Sequence, residues 1–153
     1  MKKTKLVLLT LVPIVVGWLI NRLIMTPIIG MLLFYVLPLG VMIFWFWLGK
    51  QYAKTDWSFL VSIIISSTTG LISLVLYIWQ FLFETDGTRD IFIAGLSQMY
   101  SVATPIYLFG WLANLFESQP NYIGRATFLA VQVISVVLLI AVFICGYIKG
   151  KKR

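Results

Sequence analysis

The chain has 153 residues, of which 61% are hydrophobic and only 11% are charged. Soluble domains contain about 45–50% apolar and about 25% charged residues, so water is the wrong solvent for most of this surface. The length suits one domain. Composition therefore predicts an all-α integral membrane protein, a small polytopic helical bundle in which residues 1–153 form a single unit surrounded by the lipid bilayer.

The charge distribution and the missing residue types exclude several function classes. The net charge is +7, and seven of the twelve basic residues lie among the first five and last five positions. Basic ends are typical of membrane flanks that face anionic headgroups, so we expect no nucleic-acid partner. There is no histidine and only one cysteine, which removes the commonest metal ligand and any internal disulfide. We therefore expect no metal and no cofactor.

Five apolar stretches are long enough for a membrane-spanning helix, which takes about 20 residues. They predict transmembrane segments at 6–25, 27–49, 57–83, 91–116 and 126–148. The first follows a lysine-rich start, as a secretory signal does, but no small-residue cleavage site follows it, so we expect an uncleaved helix. Pro13 and Gly17 predict a bend in the first segment, and Pro38 predicts a kink in the second.

Four residues near the ends of the first two segments have the character of interfacial anchors. Arg22 can extend its cation towards the headgroups. Trp45, Trp47 and Lys50 give the second segment an aromatic and basic end, which is typical of a membrane interface. We therefore expect these four side chains to mark the membrane boundary.

The third segment carries small and hydroxylated residues at helical spacing, namely Ser62, Ser66, Gly70 and Ser73. Spacings of four, four and three place them on one helix face. Small residues let two membrane helices approach closely, so this column predicts a helix-packing face. The alternative is that its hydroxyls line a polar pathway. Asp56, just before the segment, is expected to cap its first turn.

The fourth segment is the least lipid-like, because a polar stripe runs along it at helical spacing. Polar side chains at membrane depth normally face the bundle interior or a wet cavity, so we expect this stripe to face the third segment. Pro105 predicts a kink there. The stripe fits either a tightly packed internal helix or a polar path for a solute, formed by Ser97, Gln98, Ser101, Thr104 and Asn114.

The positive-inside rule leaves the number of crossings open. Five crossings with the N-terminus inside put six basic residues on each side of the membrane. If the fourth segment re-enters without crossing, both termini lie inside and the count becomes nine against three. We take five crossings as the leading interpretation because the fourth segment is long enough to span. Four crossings with both ends in the cytoplasm is the alternative.

No catalytic motif stands out along the chain. All five acidic residues lie at segment boundaries, and neither a histidine nor a mid-segment lysine is present to activate a serine. We therefore expect a non-enzymatic accessory or interaction protein of a bacterial plasma membrane, packing with itself or with another membrane protein. The alternative is a small transporter or channel component for a neutral or polar solute that uses the polar stripe of the fourth segment.

Overall fold

A computed structural model of the chain describes residues 2–23, 27–119 and 122–152, without the side chains at 27–34, 107, 110, 113 and 114. The fold is all-helical, and no strand occurs in these ranges. Within the same ranges, three helices are long and apolar enough to cross a membrane, Lys3–Leu23, Phe59–Phe83 and Arg125–Lys151. The predicted all-helical architecture is therefore confirmed, together with three helices of membrane-crossing length and composition.

The described residues form seven α-helices joined by short turns. They are α1 Lys3–Leu9, α2 Val12–Leu23, α3 Pro27–Tyr52, α4 Phe59–Tyr77, α5 Ile91–Ala103, α6 Gly110–Phe116 and α7 Arg125–Lys151. A wider helical turn, Ile78–Phe83, extends α4, and a 3₁₀ turn, Pro105–Phe109, joins α5 to α6.

The prolines of the first two predicted segments have different effects on the helices. Pro13 has no N–H to donate to the Leu9 carbonyl, and the chain breaks between α1 and α2 just before it, at Thr10 and Leu11. The Thr10 hydroxyl donates to the Val7 carbonyl at 2.7 Å and so closes the end of α1. In contrast, α3 continues through Pro38 from Pro27 to Tyr52.

Short polar side chains cap two of the helices. Ser58 caps α4, because its hydroxyl accepts a hydrogen bond from the backbone N–H three residues later at 3.3 Å. The prediction that Asp56 fills this role is wrong, since its carboxylate instead pairs with Lys3 at 3.2 Å. Asp90 caps α5 by accepting from two backbone N–H groups at 2.9 and 3.1 Å.

The most extensive helix contact joins α3 and α7, which run parallel. Gly146 packs against the backbone of Phe46, and Gly150 packs against the backbone of Lys50. Residue numbers therefore increase in the same direction along both helices, and their C-terminal ends lie together. A Cβ atom at Gly146 would overlap the Phe46 carbonyl oxygen, so the close approach depends on glycine.

The apolar core lies where α1, α3 and α7 meet, and Trp45 is part of it. Only 1% of the Trp45 surface is exposed, so the side chain predicted as an interfacial anchor is covered by other helices of the chain. The physical reason is that α1 and α7 cover this face of α3, whereas Trp47 remains 39% exposed. The core residues are Leu6, Val41, Trp45, Leu48, Tyr52, Leu139, Phe143 and Tyr147.

The bundle has two distinct ends. The first, which we call the basic end, consists of residues 2–5, 50–56 and 149–152, and the Lys3–Asp56 ion pair ties α1 to the α3–α4 loop there. The second, which we call the loop end, consists of residues 84–90, 117–119 and 122–125. Asp86 binds both Arg89 and Arg125 there, at 2.8 Å each.

The stretch 91–116 leaves the loop end and returns to it. Helix α5 has 13 residues and a length of about 20 Å, shorter than the roughly 30 Å hydrocarbon core. Near its end, Tyr100 packs on Gly70, midway along the Phe59–Phe83 helix, where a Cβ would lie 2.8 Å from the tyrosine oxygen. After the 3₁₀ turn, α6 leads back to Glu117, which accepts a 2.7 Å hydrogen bond from the Gly124 N–H. Both ends of this stretch therefore lie at the loop end.

Candidate functional site

A cluster of buried polar side chains joins α4, α5 and α7. The Ser73 hydroxyl donates to the Ser97 carbonyl at 2.7 Å, and the Gln132 amide nitrogen donates to the Ser73 hydroxyl at 3.2 Å. Ser73 is 3% exposed, and Ser97 and Gln132 are fully buried. One hydroxyl thus links three helices at the place where the third and fourth predicted segments face each other.

The other members of the predicted helix-packing face are also buried. The Ser62 hydroxyl donates to the Ser58 carbonyl, and the Ser66 hydroxyl donates to the Ile63 carbonyl, at 3.0 Å each. Gly70 lies against Tyr100 of α5. Their burial inside the bundle means that this face is occupied by the chain itself and is not available to a partner in this fold.

The predicted polar path on the fourth segment lies inside the bundle as well. Ser97, Ser101 and Thr104 are fully buried. Each hydroxyl donates to the carbonyl three residues before it, at 2.7, 2.9 and 2.6 Å. Such local bonds occupy the hydroxyl protons, so these groups have no free proton to offer a solute. Gln98 is half-buried, and the side chain of Asn114 lies outside the described part of the chain.

A crevice of about 170 Å³ lies beside the polar cluster, between α2, α4 and α5. Thr69, Ser73 and Tyr100 supply its polar atoms, and the rest of its lining is aliphatic. Thr69 donates to the Thr10 carbonyl at 3.2 Å, so its proton is also occupied. Small-molecule sites usually have about 300–1,000 Å³, and this crevice is well below that range.

One atom of the cluster has no partner within the described residues. The Gln132 side-chain carbonyl is buried and makes no hydrogen bond there. An unsatisfied buried acceptor costs about 1–3 kcal/mol. The polar cluster therefore connects three helices but is incompletely satisfied at its α7 side.

The acidic residues hold the loop end together. Asp86 bridges Arg89 and Arg125, and Tyr77 donates to the Arg125 carbonyl at 3.2 Å. The Thr127 hydroxyl and the Gly124 N–H hold the pKa of Glu117 below its usual value. In the described ranges, no three His, Cys, Asp or Glu side chains come together as metal ligands would.

Two of the remaining predicted anchors rest on aromatic rings. The Arg22 guanidinium lies 5.7 Å from the ring centre of Trp18, and the Lys50 ammonium lies 4.5 Å from that of Phe46. Both contacts have cation–π geometry, which holds the charged end of a long side chain in place.

Two features of the structure were missed by sequence reasoning. The first is the close contact of α3 with α7, for which the spacing Gly146-x-x-x-Gly150 was an available signal. The second is the convergence of Lys50, Lys54 and Lys149 around one pocket at the basic end. No sequence signal joins the first two lysines to the third, because they meet only through the parallel pairing of the helices.

Comparison with known proteins gives no match, since no protein-family model fits the chain and no curated protein or solved structure is similar to it.

Proposed function

We propose that the chain is a multi-pass protein of a bacterial plasma membrane that crosses the bilayer four times, with both termini in the cytoplasm. The crossing elements are α1 with α2, then α3, α4 and α7, and the stretch 91–116 enters and leaves at one side. The proposal is supported by the Lys3–Asp56 ion pair, the parallel contact of α3 with α7, and the return of α6 to the loop end.

The distribution of basic residues supports the same topology. Four crossings put nine lysines and arginines at the basic end or in the tail beyond it, and three arginines, Arg22, Arg89 and Arg125, at the other side. Lysine and arginine are enriched in cytoplasmic loops, so the basic end is the cytoplasmic face. This arrangement replaces five crossings as our preferred interpretation.

Labelling of single cysteines tests the number of crossings. Cys145 is exposed and is first replaced by serine. A cysteine at Ser118 should react with a membrane-impermeant maleimide added to intact cells, and a cysteine at Lys54 should react only after the cells are opened. Five crossings predict protection of both positions in intact cells and an external C-terminal tag, and that result would refute the four-crossing arrangement.

The role that the geometry supports best is that of a non-enzymatic accessory or interaction protein. The observation that carries it is the bond chain Gln132–Ser73–Ser97, which closes the polar stripe by contact between helices. Loops between the helices are short, so a partner has little soluble surface to recognise. Recognition of a second copy or another membrane protein would therefore occur within the bilayer.

Crosslinking in intact membranes at native expression level tests this role. One discrete higher-mass species, with a second copy or with one other membrane protein, is the expected result. Substituting Ser66→Leu and Gly70→Leu is unsuitable as an interface test, because both positions are buried in the chain's own bundle. A chain that remains monomeric both in the membrane and after mild extraction contradicts the proposal.

A transporter or channel component is the second candidate, for which the crevice beside Thr69 and Ser73 would have to hold a solute small enough for about 170 Å³. Its test is solute uptake into proteoliposomes. Saturable uptake that is lost in Ser101→Leu, a protein checked for correct folding, would favour transport. Ser118→Ala, at an exposed loop position, is the matched control and should leave uptake unchanged.

A further inference from the structure

Three lysines converge on one pocket at the basic end. Lys50, Lys54 and Lys149 line a pocket of about 380 Å³ together with Gln51 and Gly150. This volume lies within the range of about 300–1,000 Å³ that is usual for ligand sites. No acidic side chain lines it, and none of its three lysines forms an ion pair with any described residue.

The backbone positions these lysines closely. At Gly150 a Cβ would lie 2.8 Å from the Lys50 Cα and 2.9 Å from the Ala53 Cβ, so α7 touches the end of α3 where the pocket forms. The Lys50 side chain also rests on the Phe46 ring. Lys149, next to Gly150, is therefore held against Lys50 and Lys54 by the same helix contact.

The negative dipole ends of α3 and α7 do not neutralise all of the positive charge on the three lysines. Each helix C-terminus carries about half a negative charge, so the ends of α3 and α7 together offset about one of the three lysines. Roughly two positive charges are left over. A ligand bearing a compact negative charge, such as a phosphate group, complements this excess.

A second cleft at the same end of the bundle, which shares no lining residue with the lysine pocket, bears on the source of the phosphate. It has a volume of about 460 Å³ and is lined by Phe59, Tyr147 and Ile148 with Lys151 and Lys152. Apolar walls bordered by lysines suit an acyl chain below a phosphate better than a soluble anion. Basic pockets between membrane helices on the cytoplasmic side are a known setting for anionic lipid headgroups.

We propose that Lys50, Lys54 and Lys149 bind the phosphate group of an anionic phospholipid from the cytoplasmic leaflet. The site goes beyond the accessory role and needs only that this end of the bundle meets a membrane surface. It is formed in full only when α3 and α7 are in contact.

Native mass spectrometry of the full chain, purified in a neutral detergent, tests the site with phosphatidylglycerol and phosphatidylcholine at equal concentrations. The anionic lipid should be retained in preference. Lys54→Gln with Lys149→Gln should weaken its binding by at least about fivefold, since each lysine at a membrane surface is worth about that factor. Lys54→Arg with Lys149→Arg keeps the charge and should retain binding.

A matched control removes the same charge elsewhere on the basic end. Lys2→Gln with Lys5→Gln, at two exposed positions, should leave the lipid preference unchanged. Equal losses in both double variants, or no preference for the anionic lipid, would overturn the proposal. Displacement of the lipid by millimolar inorganic phosphate would assign the site to a soluble anion instead and would also overturn it. Because the assay is performed in detergent, its outcome does not depend on the number of crossings or on a protein partner.

Discussion

Replacing Gly146 by alanine is expected to force α3 and α7 apart. The new Cβ would lie 2.9 Å from the Phe46 carbonyl carbon and 3.1 Å from its Cα, and it would overlap the carbonyl oxygen. Carbon atoms in favourable contact lie about 3.5–4.0 Å apart, so the two backbones must separate by about 1 Å. The neighbour is backbone on a packed helix, which cannot turn aside as a flexible side chain can.

The size of the effect follows from two opposing terms. Overpacking a tight contact usually costs about 1–3 kcal/mol. Exchanging glycine for alanine inside a helix returns about 0.5–1 kcal/mol through helix propensity. The central values of the two terms leave an expected net loss of about 1 kcal/mol in the free energy of unfolding.

Gly40 supplies the matched control, because it lies in α3 and a Cβ there would meet nothing within 4 Å. Gly40→Ala should leave the stability unchanged or raise it by up to about 1 kcal/mol. The free energies come from SDS titration of the micellar protein, followed by circular dichroism and tryptophan fluorescence. If Gly146→Ala unfolds at the same SDS fraction as Gly40→Ala, the close parallel contact is refuted.

Three further predictions use the same titration. Trp45→Ala should cost about 3–5 kcal/mol, because its side chain is fully buried, and Trp47→Ala should cost less than half as much; equal losses would remove Trp45 from the core. Ser73→Ala should cost about 1 kcal/mol, whereas Gln132→Leu should be nearly neutral, because it also removes an unpaired buried carbonyl; the reverse order contradicts the bond pattern. The lowered pKa of Glu117 means that its ionised form stabilises the fold fully above the ordinary carboxyl pKa of about 4.3, and that this contribution disappears as the pH falls through the lower folded-state pKa. Glu117→Gln should lose that part of the pH dependence of the free energy of unfolding. An unchanged pH profile would argue against the hydrogen bonds from Thr127 and Gly124 to Glu117.

Helix positions along this chain were largely predictable from the sequence. Long apolar runs between charged residues predict where a membrane-type helix begins and ends. Accordingly, α3 and α7 extend only one to three residues beyond their predicted segments. The sequence also predicted that the helix faces of Ser73 and Ser97 point into the bundle. Buried hydroxyls that form hydrogen bonds cost less free energy than hydroxyls exposed to lipid.

How deeply a segment enters the bundle, and which distant helices pair with each other, were harder to predict. Periodicity tells which face of the 91–116 stretch is polar but not how far the stretch enters the bundle, and only the charge count of nine against three pointed to a return. A tryptophan near the end of an apolar run, such as Trp45, fits both a membrane interface and a core. The difference depends on whether a distant helix covers it, and that helix lies about 100 residues further along the chain.

The contact of α3 with the last helix also sets an order of events during translation. Phe46 and Gly146 are 100 residues apart, and at about 5–20 residues per second roughly 5–20 s pass between their synthesis. During that interval the face of α3 around Trp45 lacks the part of its cover that α7 supplies, and Ser73 has no glutamine from α7 to bind. We therefore expect nascent chains that end before α7 to be the species that quality-control proteases and insertases encounter in an open form.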